Sequence, residues 1–171
     1  MKTYRLTHEQ FVPLDIDTVF AFFASAHNLE RLTPPWLQFR ILTPSAIELE
    51  AGSTIDYALK LHGVPVRWRS EITCWQPPHR FIDEQRKGPY RRWVHTHTFV
   101  PMSDGTLVTD DVEYAVPGPD FVARFFVRPD LERIFDYRSR QLDAWVIETL
   151  RERDGLAKGL SLVLEGRDAG S

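Results

Sequence analysis

The stretch DEQRKGPYRRWVHTHTF, residues 83–99, reads as two strands joined at Gly88-Pro89. On either side of that turn, polarity changes with the period of two that a β-strand imposes. Trp93, His95, His97 and Phe99 fall on one face of the second strand. In the first strand Asp83 and Gln85 share a face with Phe81, while Ile82, Glu84 and Arg86 make up the other. A carboxylate, an amide, an indole and two imidazoles interleaved with apolar residues suit the wall of a pocket better than a plain core strand. Both faces of 79–86 carry charge, so alternation alone leaves its inward face open.

The same period runs outward from this hairpin. Residues 53–62 place Ile55, Tyr57, Leu59 and Leu61 opposite Thr54, Asp56, Lys60 and His62. Residues 66–75 place Val66, Trp68, Ser70, Ile72 and Cys74 opposite Arg67, Arg69, Glu71 and Thr73. After the hairpin signal Asp104-Gly105, residues 106–116 align Val108, Asp110, Val112 and Tyr114. Residues 3–12 and 36–42 are predicted as further strands, and two short helices follow the first of them. The first is capped by Asp15, and the second covers Ala26–Leu32 before Pro34-Pro35. Past Pro117-Gly118-Pro119 the period becomes 3.6. A short helix over Phe121–Val127 is predicted to break at Pro129, and a long one to run from about Asp130 to Arg153.

Composition sets the class. A chain of 171 residues with 43% apolar residues supports one folded core. Residues 1–153 are expected to form a single domain and 154–171 a flexible tail. A net charge of −3 gives no pull toward nucleic acid. The single cysteine, Cys74, excludes an internal disulfide, and no leader or membrane-spanning stretch is evident. A cytoplasmic protein is therefore expected. An antiparallel sheet of six or seven strands must cover its apolar face. The long amphipathic helix is the available cover, and a curved sheet wrapped around it encloses a cavity.

Five segments carry a resemblance: PLDIDTVFAFF (13–23), NLERLTPPWL (28–37), ITCWQPPHRFIDEQ (72–85), GPYRRWVHTHTF (88–99) and LERIFDYR (131–138). Together they resemble the START-like helix-grip superfamily (SRPBCC), and within it the bacterial polyketide cyclase/dehydrase-like ligand-binding branch. The resemblance implies an α+β helix-grip fold with a cavity between the sheet and the C-terminal helix. It does not imply one activity, because this fold hosts carriers and enzymes alike. Some relatives carry a fused second enzyme domain, which leaves a partner enzyme, like a homodimer, an open alternative.

Two histidines at i, i+2 on a strand point to one face, and neutral imidazole supplies a donor and an acceptor near neutral pH. As metal ligands they need a third group. Asp83, Asp110 and Glu113 are the candidates, none fixed by spacing, so no metal and no cofactor is expected. Asp110 sits among apolar neighbours and must find a partner if buried. Arg138 follows Leu131, Ile134 and Phe135 at spacings of seven, four and three, near the centre of the helix stripe. It either joins an internal network with Asp110 or Asp83, holds a ligand anion, or snorkels outward. Tyr57, Trp68, Phe81, Gln85, Trp93, Tyr114, Phe126, Ile134 and Phe135 complete the expected lining. The expected function is binding of a small lipid-, polyketide- or aromatic-like molecule. The alternative is a cyclase or dehydratase using His95 or His97 as acid–base with Asp83.

Overall fold

The structure, a computed structural model, describes residues 2–43 and 49–168, with the side chains of 157–168 excepted. Seven antiparallel strands form one sheet: β1 (Tyr4–Val12), β2 (Arg40–Ile41), β3 (Thr54–Leu61), β4 (Val64–Gln76), β5 (Arg80–Lys87), β6 (Arg92–Met102) and β7 (Gly105–Ala115). Their order is β1-β7-β6-β5-β4-β3-β2. Strands β2 to β7 thus follow one another as neighbours, and β1 closes against β7. The helices α1 (Ile16–Ala24) and α2 (Ala26–Leu32) lie between β1 and β2. After β7 come a single turn, α3 (Asp120–Val122), a π-helical turn (Ala123–Val127) and the long α4 (Arg128–Asp168).

The local reasons are those of the sequence. Asp15 accepts a hydrogen bond from the Thr18 backbone N–H at 2.8 Å, capping α1. Val19, Phe20 and Phe22 of α1 pack with Phe81, Phe99 and Val108 of the sheet and with Leu142 and Val146 of α4. Toward the other end of α4, Leu131 and Phe135 meet Val112 and Tyr114. Gly105 is required by proximity: a Cβ there would stand 2.2 Å from the Val12 carbonyl oxygen. Gln10 ties β1 to α4 through Ser139 and Asp143.

Four expectations are corrected. Residues 36–42 are not one strand: Pro35–Leu37 form a 3-10 turn, Gln38 takes a left-handed backbone (φ 45°), and only Arg40–Ile41 pair with β3. A register shift between Ile72 and Cys74 reverses the facing of β4, so Trp75 rather than Cys74 reaches the core. Pro129 does not break the helix. The Arg128 N–H reaches the Ala123 carbonyl five residues back, and this wider turn gives the proline ring room beside the preceding turn. Finally, α4 continues past Arg153 and Gly155 to Asp168, because an isolated glycine weakens a helix by only about 1 kcal/mol against alanine and does not end it. Residues 169–171 of the expected tail lie outside the described residues.

Candidate functional site

A cavity of about 180 Å³ lies between the concave sheet and α4. Its walls are mostly apolar, with Phe22 and Leu32 from the short helices, Ile55 and Ile72 from the sheet, and Leu131 and Ile134 from α4. A second space of about 420 Å³ adjoins it. The two share Leu37, Leu61, Tyr90, Leu131 and Ile134 as a partition.

One end of the inner cavity is polar, and strand register builds it. Asp83 of β5 sits opposite His95 of β6, and His97 sits opposite Asp110 of β7. Three neighbouring strands therefore bring two carboxylates and two imidazoles together. Both histidines are buried, with ring centroids 3.8 Å apart. His95 Nε2 lies 3.0 Å from Asp110 Oδ1, and His97 Nε2 lies 3.2 Å from Asp83 Oδ2. His97 Nδ1 comes within 2.8 Å of Asp110 Oδ1, but the oxygen lies off the line of the ring nitrogen, and that nitrogen has no aligned hydrogen-bond partner. Phe81 stacks on the His97 ring at 4.1 Å.

Arg138 closes the cluster from α4. The spacing 131, 135, 138, 142 keeps it on the buried stripe, and it points inward rather than snorkelling. Its Nη2 stands 3.9 Å from Asp110 Oδ1, its guanidinium lies 5.4 Å from the centre of the Phe135 ring, and its buried Nε has no partner. The guanidinium is thus held near an anion without being fully satisfied by it.

These contacts set the charges. Burial works against ionisation of Asp110, but the Arg138 charge, the His95 hydrogen bond and the nearby His97 ring hold its carboxyl well below the usual range. Asp83 is half-buried, which again opposes its charge, and His97 and His95 still keep it below its ordinary value. His95 is pushed down by burial and by the neighbouring His97. For His97, burial is outweighed by Asp110 and Asp83 together, and its pKa rises. Two adjacent imidazoles are thereby driven apart, one toward the neutral form and one toward the charged form.

Of the residues expected at the site, Tyr57, Trp68, Phe81, Asp83, Trp93, His95, His97, Ile134, Phe135 and Arg138 line the cavity. Asp110 stands behind the histidines instead of on the wall. Three lie elsewhere. Gln85 is used by the turn, donating to the Tyr90 carbonyl at 2.6 Å and accepting from its N–H at 3.2 Å. Tyr114 is fully buried in the packing beneath α4. Phe126 is 59% exposed, because the inward positions of the π-helical turn are taken by Ala123 and Val127.

Ser70 went unread as a site residue. Its hydroxyl donates to Asp83 Oδ1 at 3.3 Å, while the Trp68 indole N–H donates to Ser70 Oγ and the Tyr57 hydroxyl lies against it, both at 3.2 Å. The signal was present: a serine on the apolar face of β4, between Trp68 and Ile72. The walls contributed by α1 and α2 were read only as packing.

A family model described as polyketide cyclase / dehydrase and lipid transport matches residues 12–136. No curated protein is a significant match. Protein TTHA0849 from Thermus thermophilus is similar in structure, with a TM-score of 0.64, 21% identity, and coverage of 85% of this chain and 99% of that one. Ginseng major latex-like protein 151 from Panax ginseng gives 0.62 at 15% identity, covering 83% and 96%. A START superfamily protein from Mycobacterium smegmatis gives 0.64 at 13%, covering 82% and 98%. These likenesses establish the helix-grip fold expected from the sequence.

Proposed function

The chain belongs to the polyketide cyclase / dehydrase and lipid transport family, and from that premise we propose that it binds one small, largely hydrophobic molecule in the inner cavity. The observation that carries this reading is the cavity's asymmetry: aromatic and aliphatic walls, with all the charge gathered at one end. That is the usual make-up of a small-molecule site. Arg138 refines the ligand class. A buried guanidinium whose only anion among the described residues is 3.9 Å away, and whose Nε is unpaired, favours a ligand ending in a carboxylate or carbonyl. The size argues for a compact molecule, since an apolar cavity of about 150 Å³ accepts benzene.

Native mass spectrometry of freshly purified protein tests the reading through any co-purifying small molecule. A defined probe pair tests it directly: naphthoic acid against naphthalenemethanol, with wild type and Arg138→Met. Tighter binding of the acid, lost in Arg138→Met, supports the proposal. Equal and negligible binding of both by the folded wild type overturns it.

A second reading rests on His95 at the cavity wall and the buried Asp110 behind it, 3.0 Å apart. A histidine oriented by a carboxylate and facing a cavity is a competent acid–base group, as an aldol cyclisation or dehydration would require. In that case His95→Gln abolishes turnover of a polyketide-like carbonyl compound while affinity stays within a fewfold. A substitution that alters affinity alone removes this reading.

A further inference from the structure

We propose that Asp83, His95 and His97 form a site for one divalent transition-metal cation of the Zn²⁺ type, open to the cavity. The inference rests on the geometry of the cluster and not on the ligand reading. One donor atom from each of the three lies within 4.8 Å of the others. Asp83 Oδ2 stands 3.6 Å from His95 Nδ1 and 3.2 Å from His97 Nε2. The first separation is too long for a hydrogen bond. Both bracket the spacing of two ligands on one cation, because bonds of about 2.0–2.1 Å in a tetrahedron set neighbouring donors about 3.3–3.4 Å apart.

The surroundings match what holds metal ligands in place. With His95 Nδ1 and His97 Nε2 turned to the cation, His95 Nε2 keeps its 3.0 Å hydrogen bond with Asp110, while His97 Nδ1 lies 2.8 Å from the same oxygen but off its line. A carboxylate accepting from the second nitrogen of a ligating histidine fixes its tautomer and ring orientation. The third ligand is braced as well, since Ser70 holds Asp83 Oδ1 and leaves Oδ2 for coordination. The remaining coordination position opens on the cavity, because all three ligands line it. Two nitrogen donors and one oxygen favour Zn²⁺ or Fe²⁺ over Mg²⁺ or Ca²⁺, which take oxygen ligands.

The test uses the full chain stripped with a chelator. Zn²⁺ is titrated calorimetrically, and Co²⁺ is followed by its visible spectrum. The proposal expects one ion per chain, Co²⁺ bands of four- or five-coordinate intensity, and no competition from millimolar Mg²⁺. Asp83→Asn and His97→Gln should each weaken Zn²⁺ at least tenfold, while Asp111→Asn, at an exposed ion pair on β7, should not. No stoichiometric Zn²⁺ binding, or binding unchanged in the folded Asp83→Asn and His97→Gln proteins, overturns it. If those variants do not fold, the wild-type Co²⁺ spectrum decides: the octahedral aquo-ion spectrum refutes the site. Naphthoic acid binding retained without metal binding removes this inference alone, and the reverse removes the ligand reading alone.

Discussion

Replacing Asp110 with Asn removes one charge from the buried cluster while keeping the side chain's shape. Arg138 then loses its only anion among the described residues, and the two imidazoles lose their shared carboxylate. At 3.9 Å, the Arg138–Asp110 attraction is about 4 kcal/mol with an effective dielectric of 20. Stranding one partner of a buried ion pair costs about 3–5 kcal/mol. The long separation and the retained amide oxygen place Asp110→Asn at the lower end, about 3 kcal/mol. For a domain of this size, each kcal/mol lowers Tm by roughly 2–4 °C, so the expected fall is roughly 6–12 °C. Urea unfolding should show the same loss with an unchanged m-value. The double-mutant cycle with Arg138→Met sharpens the test. The double variant should be more stable than the sum of the singles implies, by about 1–3 kcal/mol. A loss below about 1 kcal/mol in Asp110→Asn, with no coupling to Arg138→Met, would refute the claim that these charges form one buried network.

The other predictions concern separate parts of the structure. Leu142→Ala removes a buried contact of α4 with the sheet and should cost about 2–5 kcal/mol by urea unfolding. Asp15→Ala removes the α1 cap and should cost about 0.5–2 kcal/mol. Hydrogen bonds from the Thr18 backbone and hydroxyl hold the Asp15 carboxyl at about 2. Its contribution is therefore full above the unfolded value near 4 and fades as pH falls toward 2, so wild type and Asp15→Ala should converge in acid. In protein stripped of divalent cations, NMR titration should resolve the histidine pair into two steps, one on either side of the ordinary value, with His97 the higher. The raised His97 stabilises the fold below about pH 6.5, an effect lost as pH rises through its folded pKa, and the depressed His95 acts in the opposite sense. Coincident titration of both at the ordinary value would contradict the cluster geometry.

Much of this was legible because periodicity is a direct consequence of burial. The helix spacing alone put Arg138 on the inward stripe, and alternation alone put Asp110 among apolar neighbours. The inward face of β5 was not legible, because Phe81 and Asp83 oppose Ile82 and Glu84 with charge on both sides. Only pairing with β6 decides it. The shift after Ile72 was hidden for a similar reason, since an irregularity in pairing leaves no mark on either strand alone. Phe126 faces outward because Ala123 and Val127 take the inward positions of the π-helical turn, whose wider spacing a 3.6-residue period does not follow. The convergence of Asp83 on both histidines depends on three strands in register, which no local pattern encodes.

The central claim, a hydrophobic molecule held in the inner cavity with its polar end at Arg138, is tested most directly by the tryptophan indole N–H signals. Trp68 and Trp93 line that cavity, whereas Trp75 and Trp145 lie outside it in the packing around α1. Saturation with naphthoic acid should shift the Trp68 and Trp93 resonances and leave those of Trp75 and Trp145 in place. Shifts confined to Trp36 at the outer space, or no shifts at all, would contradict it.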